Sequence, residues 1–141
     1  PSEPNCQVCF TDPGRTNKDY VFCKRFTAKE ERRRLQCGVY LASDFPEYHF
    51  IGTQNKINFV ERLDKKPQSK EMVFGIFALL NSTLFDNYYR ILNGSTQVNS
   101  TEINSIPVPD CELIEKMGKK LINQDDLSTE TCDKVLEVAY G

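Results

Sequence analysis

Hydrophobic and polar positions change their period about half-way along the chain. Between residues 20 and 60 the apolar residues fall in short runs rich in β-branched and aromatic side chains, at 20–26, 35–41, 48–52 and 56–60. Runs of that length and composition predict strands, and the short polar stretches between them favour antiparallel pairing. The first two are separated by Thr27 and the charged residues 28–34, which predict a helical turn or a charged loop.

From Ser69 onward the pattern becomes helical. Ser69 is placed as an N-cap with Glu71 in the first turn, and residues 72–80 are apolar nearly all round, as in a helix buried on most sides. Asn81-Ser82-Thr83 interrupts it. A second helix then places Leu84, Phe85, Tyr88 and Leu92 on one face. Asn93-Gly94 ends that helix, because glycine lacks the Cβ that disfavours the left-handed closing position. Asp110 caps a helix carrying Leu113, Ile114, Met117 and Leu121, and Ser128 caps a last one with Val135, Leu136 and Val138. Strands first and helices after predict an α+β fold, a small and mostly antiparallel sheet from the N-terminal half packed with helices from the C-terminal half. Residues 1–19, rich in Pro, Asn, Asp, Gly and Thr, are expected as an irregular lead-in or linker, and residues 20–141 as one domain.

Composition adds local detail. The 141 residues are 39% hydrophobic and 27% charged, with a formal net charge of −2. That balance argues against a uniformly basic nucleic-acid binder, but the charge is uneven. Residues 110–141 hold eight acidic and four basic side chains, which leaves about +2 for residues 1–109. Six basic residues face two acidic ones between Lys24 and Arg34. A local positive patch of this kind suits a small anionic footprint. The most apolar run spans nine residues, far short of the ~20 needed to cross a bilayer, so no membrane partner is expected.

Six cysteines, at 6, 9, 23, 37, 111 and 132, admit either a disulfide framework or reduced thiols. Sequons at Asn81, Asn93 and Asn99 would suit a secreted, disulfide-bonded glycoprotein binding domain, whose thiols would be absent on titration of the denatured chain. Asn81 lies in or beside an apolar helix, a poor place for a glycan, so reduced thiols and a cytoplasmic setting are the expectation. Cys6 and Cys9 have the spacing of half a zinc site. Cys23 and Cys37 could complete a four-thiolate set across the first two strands, but their spacing is not that of a ribbon, so a fortuitous pair and no metal are expected.

Catalytic chemistry is not legible. The single histidine, His49, sits between Tyr48 and Phe50 with no nucleophile nearby in sequence. No Gly-x-Gly-x-x-Gly loop or Gly-Lys-Ser/Thr loop occurs. A protein-interaction domain whose apolar helices dock on a partner therefore remains a further reading.

Two segments are more specific. The first is Lys24-Arg25-Phe26-Thr27-Ala28-Lys29-Glu30-Glu31-Arg32-Arg33-Arg34. The second begins Leu79-Leu80-Asn81-Ser82, continues through Tyr88-Tyr89 and Asn93-Gly94-Ser95-Thr96-Gln97-Val98-Asn99, and leaves by Pro107-Val108-Pro109. In this order they resemble the target-recognition region of adenine-N6 DNA methyltransferases from type II restriction–modification systems. The resemblance covers roughly residues 20–109. It implies a module that positions duplex DNA for a catalytic methyltransferase domain of the same parent chain. The parent would use S-adenosylmethionine. This chain lacks the family's Asn/Asp-Pro-Pro-Tyr/Phe motif and glycine-rich loop, so no cofactor and no independent catalysis are expected of it.

Lys24, Arg25, Lys29, Arg32, Arg33 and Arg34 are then candidates for phosphates, since guanidinium forks match paired oxygens. Ser95, Thr96, Gln97 and Asn99 are candidates for DNA contact from a loop. The Gln97 amide can bridge adenine edge atoms, and short hydroxyls reach phosphates. Asn99 or Ser100 is also a natural cap for a turn at 101–104. Tyr88 and Tyr89, at helical spacing from Leu84 and Phe85, read more readily as core than as a stacking face.

Overall fold

A computed structural model describes residues 8–11, 19–24, 27–28, 30–41, 57–62, 68–92, 109–124 and 126–140. Among them are four strands, β1 (Val8–Thr11), β2 (Tyr20–Lys24), β3 (Cys37–Tyr40) and β4 (Ile57–Arg62), and four helices. The helices are α1 (Lys70–Leu80), α2 (Thr83–Leu92), α3 (Cys111–Ile122) and α4 (Thr129–Tyr140).

The strands form one sheet in the order β1-β4-β2-β3 with antiparallel neighbours throughout. Val21 pairs with Val60 on one side and Val39 on the other. Val21, Cys23 and Val60 are buried, and Cys37 and Val39 pack against the same core. Strand alternation thus turns these residues toward the helices, where α1 lies against β2 and β3. The architecture is the α+β class read from the sequence. β1 corrects the expectation of an irregular lead-in: Val8-Cys9-Phe10-Thr11 is a strand-forming run hidden between stretches rich in turn formers. The predicted run at 48–52 lies outside the described residues.

α1 begins where expected, with the Ser69 hydroxyl accepting from Met72 N at 3.0 Å. Gln68, just before it, ties helix to sheet by donating to the carbonyls of Val60 and Asp19. α3 is the main partner of α1, and the two cross at glycines. A Cβ on Gly75 would collide with the Ile114 carbonyl oxygen, and one on Gly118 with that of Glu71. Asp110 caps α3 through Leu113 N, and the Ser128 hydroxyl accepts from Thr131 N at the start of α4. Ile114, Met117, Leu121, Val135 and Leu136 are buried as predicted, whereas Val138 is exposed.

The face assigned to α2 is corrected. Phe85 and Tyr89 are buried, but Leu84 and Tyr88 stand in solvent. The reason is Asp86, a carboxylate buried at 4% exposure, which rotates the helix toward the segment before β3.

The structure also departs from the reduced-thiol expectation: Cys23 and Cys37 form a disulfide. They face each other across β2 and β3, so their proximity follows from strand register and does not select a compartment. Cys111 is disulfide-bonded as well. Cys132 is a free, buried thiol whose ionisation burial pushes upward. No described helix is long and apolar enough to cross a membrane.

Candidate nucleic-acid interface

The basic segment between β2 and β3 is organised by one acid from a distant helix. Asp86 Oδ1 accepts from the backbone N–H groups of Arg34 and Leu35 at 2.8 and 2.7 Å. Its Oδ2 accepts from Arg90 Nε at 3.0 Å, one helical turn on, and Arg33 Nη2 lies 3.8 Å from Oδ1. A buried carboxylate is tolerated because donors and cations surround it.

The guanidinium groups then divide by role. Arg33 donates through Nη2 to the carbonyls of Leu80 and Ser82 and through Nε to that of Leu35. It covers carbonyls at the end of α1, where a cation is also favoured by the helix dipole. Burial pulls its basicity down and Asp86 opposes that pull. Arg34 is 1% exposed. Its Nε donates to the Thr27 hydroxyl at 2.9 Å, and its guanidinium lies 5.5 Å from the centre of the Tyr89 ring. Arg90 Nη2 donates to the carbonyls of Glu31 and Arg32. Arg32 is the exception, with its side chain exposed while Arg90 holds its backbone.

Glu31 completes the turn. Its carboxylate accepts from Ala28 N and from Gln36 Nε2. The Ala28 bond, then the Gln36 bond, hold its pKa below the usual 4.5. The Thr27 hydroxyl donates to the Arg34 carbonyl. Of the two forms expected for 28–34, the described residues adopt the turn and bend without a helix.

Beside this segment lies an open cleft of about 650 Å³, with Arg32, Asn87 and Arg90 on one side and Ser128, Glu130 and Asp133 on the other. Asp133 accepts from both the backbone N–H and the hydroxyl of Thr83, which locks α4 to the start of α2. The carboxylates of Asp86, Glu130 and Asp133 beside the arginines give the cleft a lining of mixed sign.

The predicted contacts sort as follows. Lys24 and Arg32 are exposed, at the end of β2 and on the turn. Arg33 and Arg34 have packing roles: the enclosed Arg34 guanidinium does not face a duplex, and Arg33 is held on backbone carbonyls. Arg25, Lys29, Ser95, Thr96, Gln97 and Asn99, together with His49, Gly94 and the turn at 101–104, lie outside the described residues. Asn81 Nδ2 donates to the Leu127 carbonyl, so this sequon amide is engaged within the fold. Asp86 and Arg90 were missed in sequence. Their only sequence signal is a charged i,i+4 pair inside an apolar helix, which reads as a surface pair until the segment 52 residues away is seen to meet it. Among the described residues no group of three or more His, Cys, Asp or Glu could hold a metal.

Two curated proteins are similar to this chain. One, named type II methyltransferase M.BsuBI, from Bacillus subtilis, is 38% identical over 122 residues, or 86% of this chain. The chain is homologous to a segment of type II methyltransferases. A second, named type II methyltransferase M.PstI, from Providencia stuartii, is 37% identical over 105 residues, or 74% of this chain. The matches cover 24% and 20% of those relatives, so the chain spans about a quarter of their length or less. No family model matches, and no solved structure matches.

Proposed function

We propose that this chain is the target-recognition module of a site-specific adenine-N6 DNA methyltransferase of a type II restriction–modification system. It positions duplex DNA for a catalytic domain elsewhere in the parent protein. The observation that carries this reading is similarity to two type II methyltransferases over most of the chain, while the chain itself has none of the loops or motifs of methyl transfer. S-adenosylmethionine belongs to the parent's catalytic part and has no assigned seat in this chain.

In this reading Lys24 and Arg32 hold phosphates from an ordered turn, with Arg25 and Lys29 of the same segment. The buried Arg34 and the partly buried Arg33 and Arg90 keep that turn in place. Phosphate contacts set affinity and register but carry no sequence information, so discrimination belongs to the segment with Ser95, Thr96, Gln97 and Asn99. Gln97 is the residue with the donor and acceptor that an adenine edge requires.

Gln97→Ala in the full-length parent tests this. Losing a bidentate base contact costs ~1–3 kcal/mol of discrimination, so methylation of the cognate site should fall about 5- to 150-fold. Binding to unrelated duplex and the melting temperature should stay unchanged. Full activity and unchanged specificity would remove Gln97 from the interface.

A further inference from the structure

α2 has three faces. Phe85 and Tyr89 point into the core, while Thr83, Asp86, Asn87 and Arg90 border the polar cleft. The third face carries Leu84, Tyr88 and Ile91, which are 57%, 43% and 84% exposed. At positions i, i+4 and i+7 these side chains form one stripe along the helix. We propose that this stripe is the seat of the catalytic part of the same methyltransferase chain, an inference that rests on the function proposed above.

Three observations select that occupant. The stripe carries no lysine or arginine, whereas duplex-binding surfaces are strongly positive. It is also small, on the order of a few hundred Å², against about 800 Å² per partner for a stable complex of separate proteins. A tether relieves that requirement, because it makes docking intramolecular. Finally, the matched relatives carry three-quarters or more of their length outside the segment this chain covers. A large tethered body is therefore the partner the chemistry and the area both fit.

Hydrogen bonds tie the ridge into the fold. Ser82 caps α2, Asp133 holds Thr83, and Asp86 and Arg90 anchor its polar face to the basic turn. Docking on this face would thus fix the orientation of the phosphate-contacting turn relative to the catalytic part.

Hydrogen exchange on the full-length parent, wild type against Leu84→Ser/Ile91→Ser, tests the proposal. The expected result is faster exchange in α2 and in a discrete patch outside this chain, with α1 and α3 unchanged. Methylation should fall at least 10-fold, while salt-dependent binding to unrelated duplex persists. Exchange unchanged outside this chain would overturn it. A loss of duplex affinity without that patch would place DNA on the stripe instead, and a wild-type dimer made monomeric by the substitutions would place a second copy there. Exchange raised in α1 and α3, both here and in Ile91→Ser alone, would mean that the stripe is part of this module's own core. Exchange reports docking even if the parent does not methylate adenine, so its failure is separable from failure of the proposed function.

Discussion

Asp86 is the residue on which the basic segment depends. Replacing it with alanine leaves two buried backbone N–H groups and two partly buried guanidinium groups without their shared acceptor. Removing one partner from such a cluster costs about 3–5 kcal/mol, so Asp86→Ala should lower the melting temperature by ten degrees or more. Arg32→Ala removes an exposed side chain and should stay within about 0.5 kcal/mol of wild type. Thermal melts of the two variants side by side check the division between packing and exposed arginines. Equal losses would contradict it.

Acid sensitivity also belongs to single residues. The folded pKa values of Glu31 and Asp126 are depressed, the first by the Ala28 and Gln36 bonds and the second by Ser128 and Thr131. A depressed pKa contributes stability above the unfolded value, and that stability is lost as pH falls through the folded value. The window therefore opens near 4.5 for Glu31 and 3.8 for Asp126 and extends below them. Glu31→Gln should flatten the fall of melting temperature across that window. An unchanged profile would show that the Glu31 bonds do not form in solution.

The elements were legible wherever a local signal defined them. Ser69, Asp110 and Ser128 start helices because their side-chain oxygens accept from an N–H three residues on, a relation contained within four residues of sequence. The orientation of α2 was not legible, because apolar residues at 84, 85, 88, 89 and 91 cover two faces and the choice is made by a contact with the turn before β3. β1 was hidden because its four residues lie among Pro, Asn, Asp and Gly, and its partner β4 comes some 50 residues later. The α1–α3 crossing was equally silent, since Gly75 and Gly118 matter only when the two backbones meet. Gly118→Ala should cost about 1–3 kcal/mol through overpacking, despite alanine's better helix propensity. Circular-dichroism melts would show a fall of several degrees. A rise would mean that the helices can separate at no cost.

At the scale of the whole molecule, a sheet and four described helices present two distinct surfaces. One is the basic turn with the exposed Lys24 and Arg32, and the other is the apolar stripe of α2. Sequence patterns identified the first as a charged cluster but not which of its cations are free. Arg33 and Arg34 are ordinary arginines in sequence, and only the folded chain places them on carbonyls and on Tyr89. Gln97 lies outside the described residues.

The proposed function has this module hold duplex DNA by a few phosphates gripped from the turn before β3. Its most direct test is the salt dependence of duplex binding by the full-length parent, wild type against Arg32→Ala, read by fluorescence anisotropy on a non-cognate duplex. Each phosphate contact contributes about 0.9 to the slope of log K against log salt. The account predicts that Arg32→Ala lowers the slope by about one contact and weakens binding alike on all sequences, with the melting temperature unchanged. A slope identical to wild type, at unchanged affinity, would contradict it.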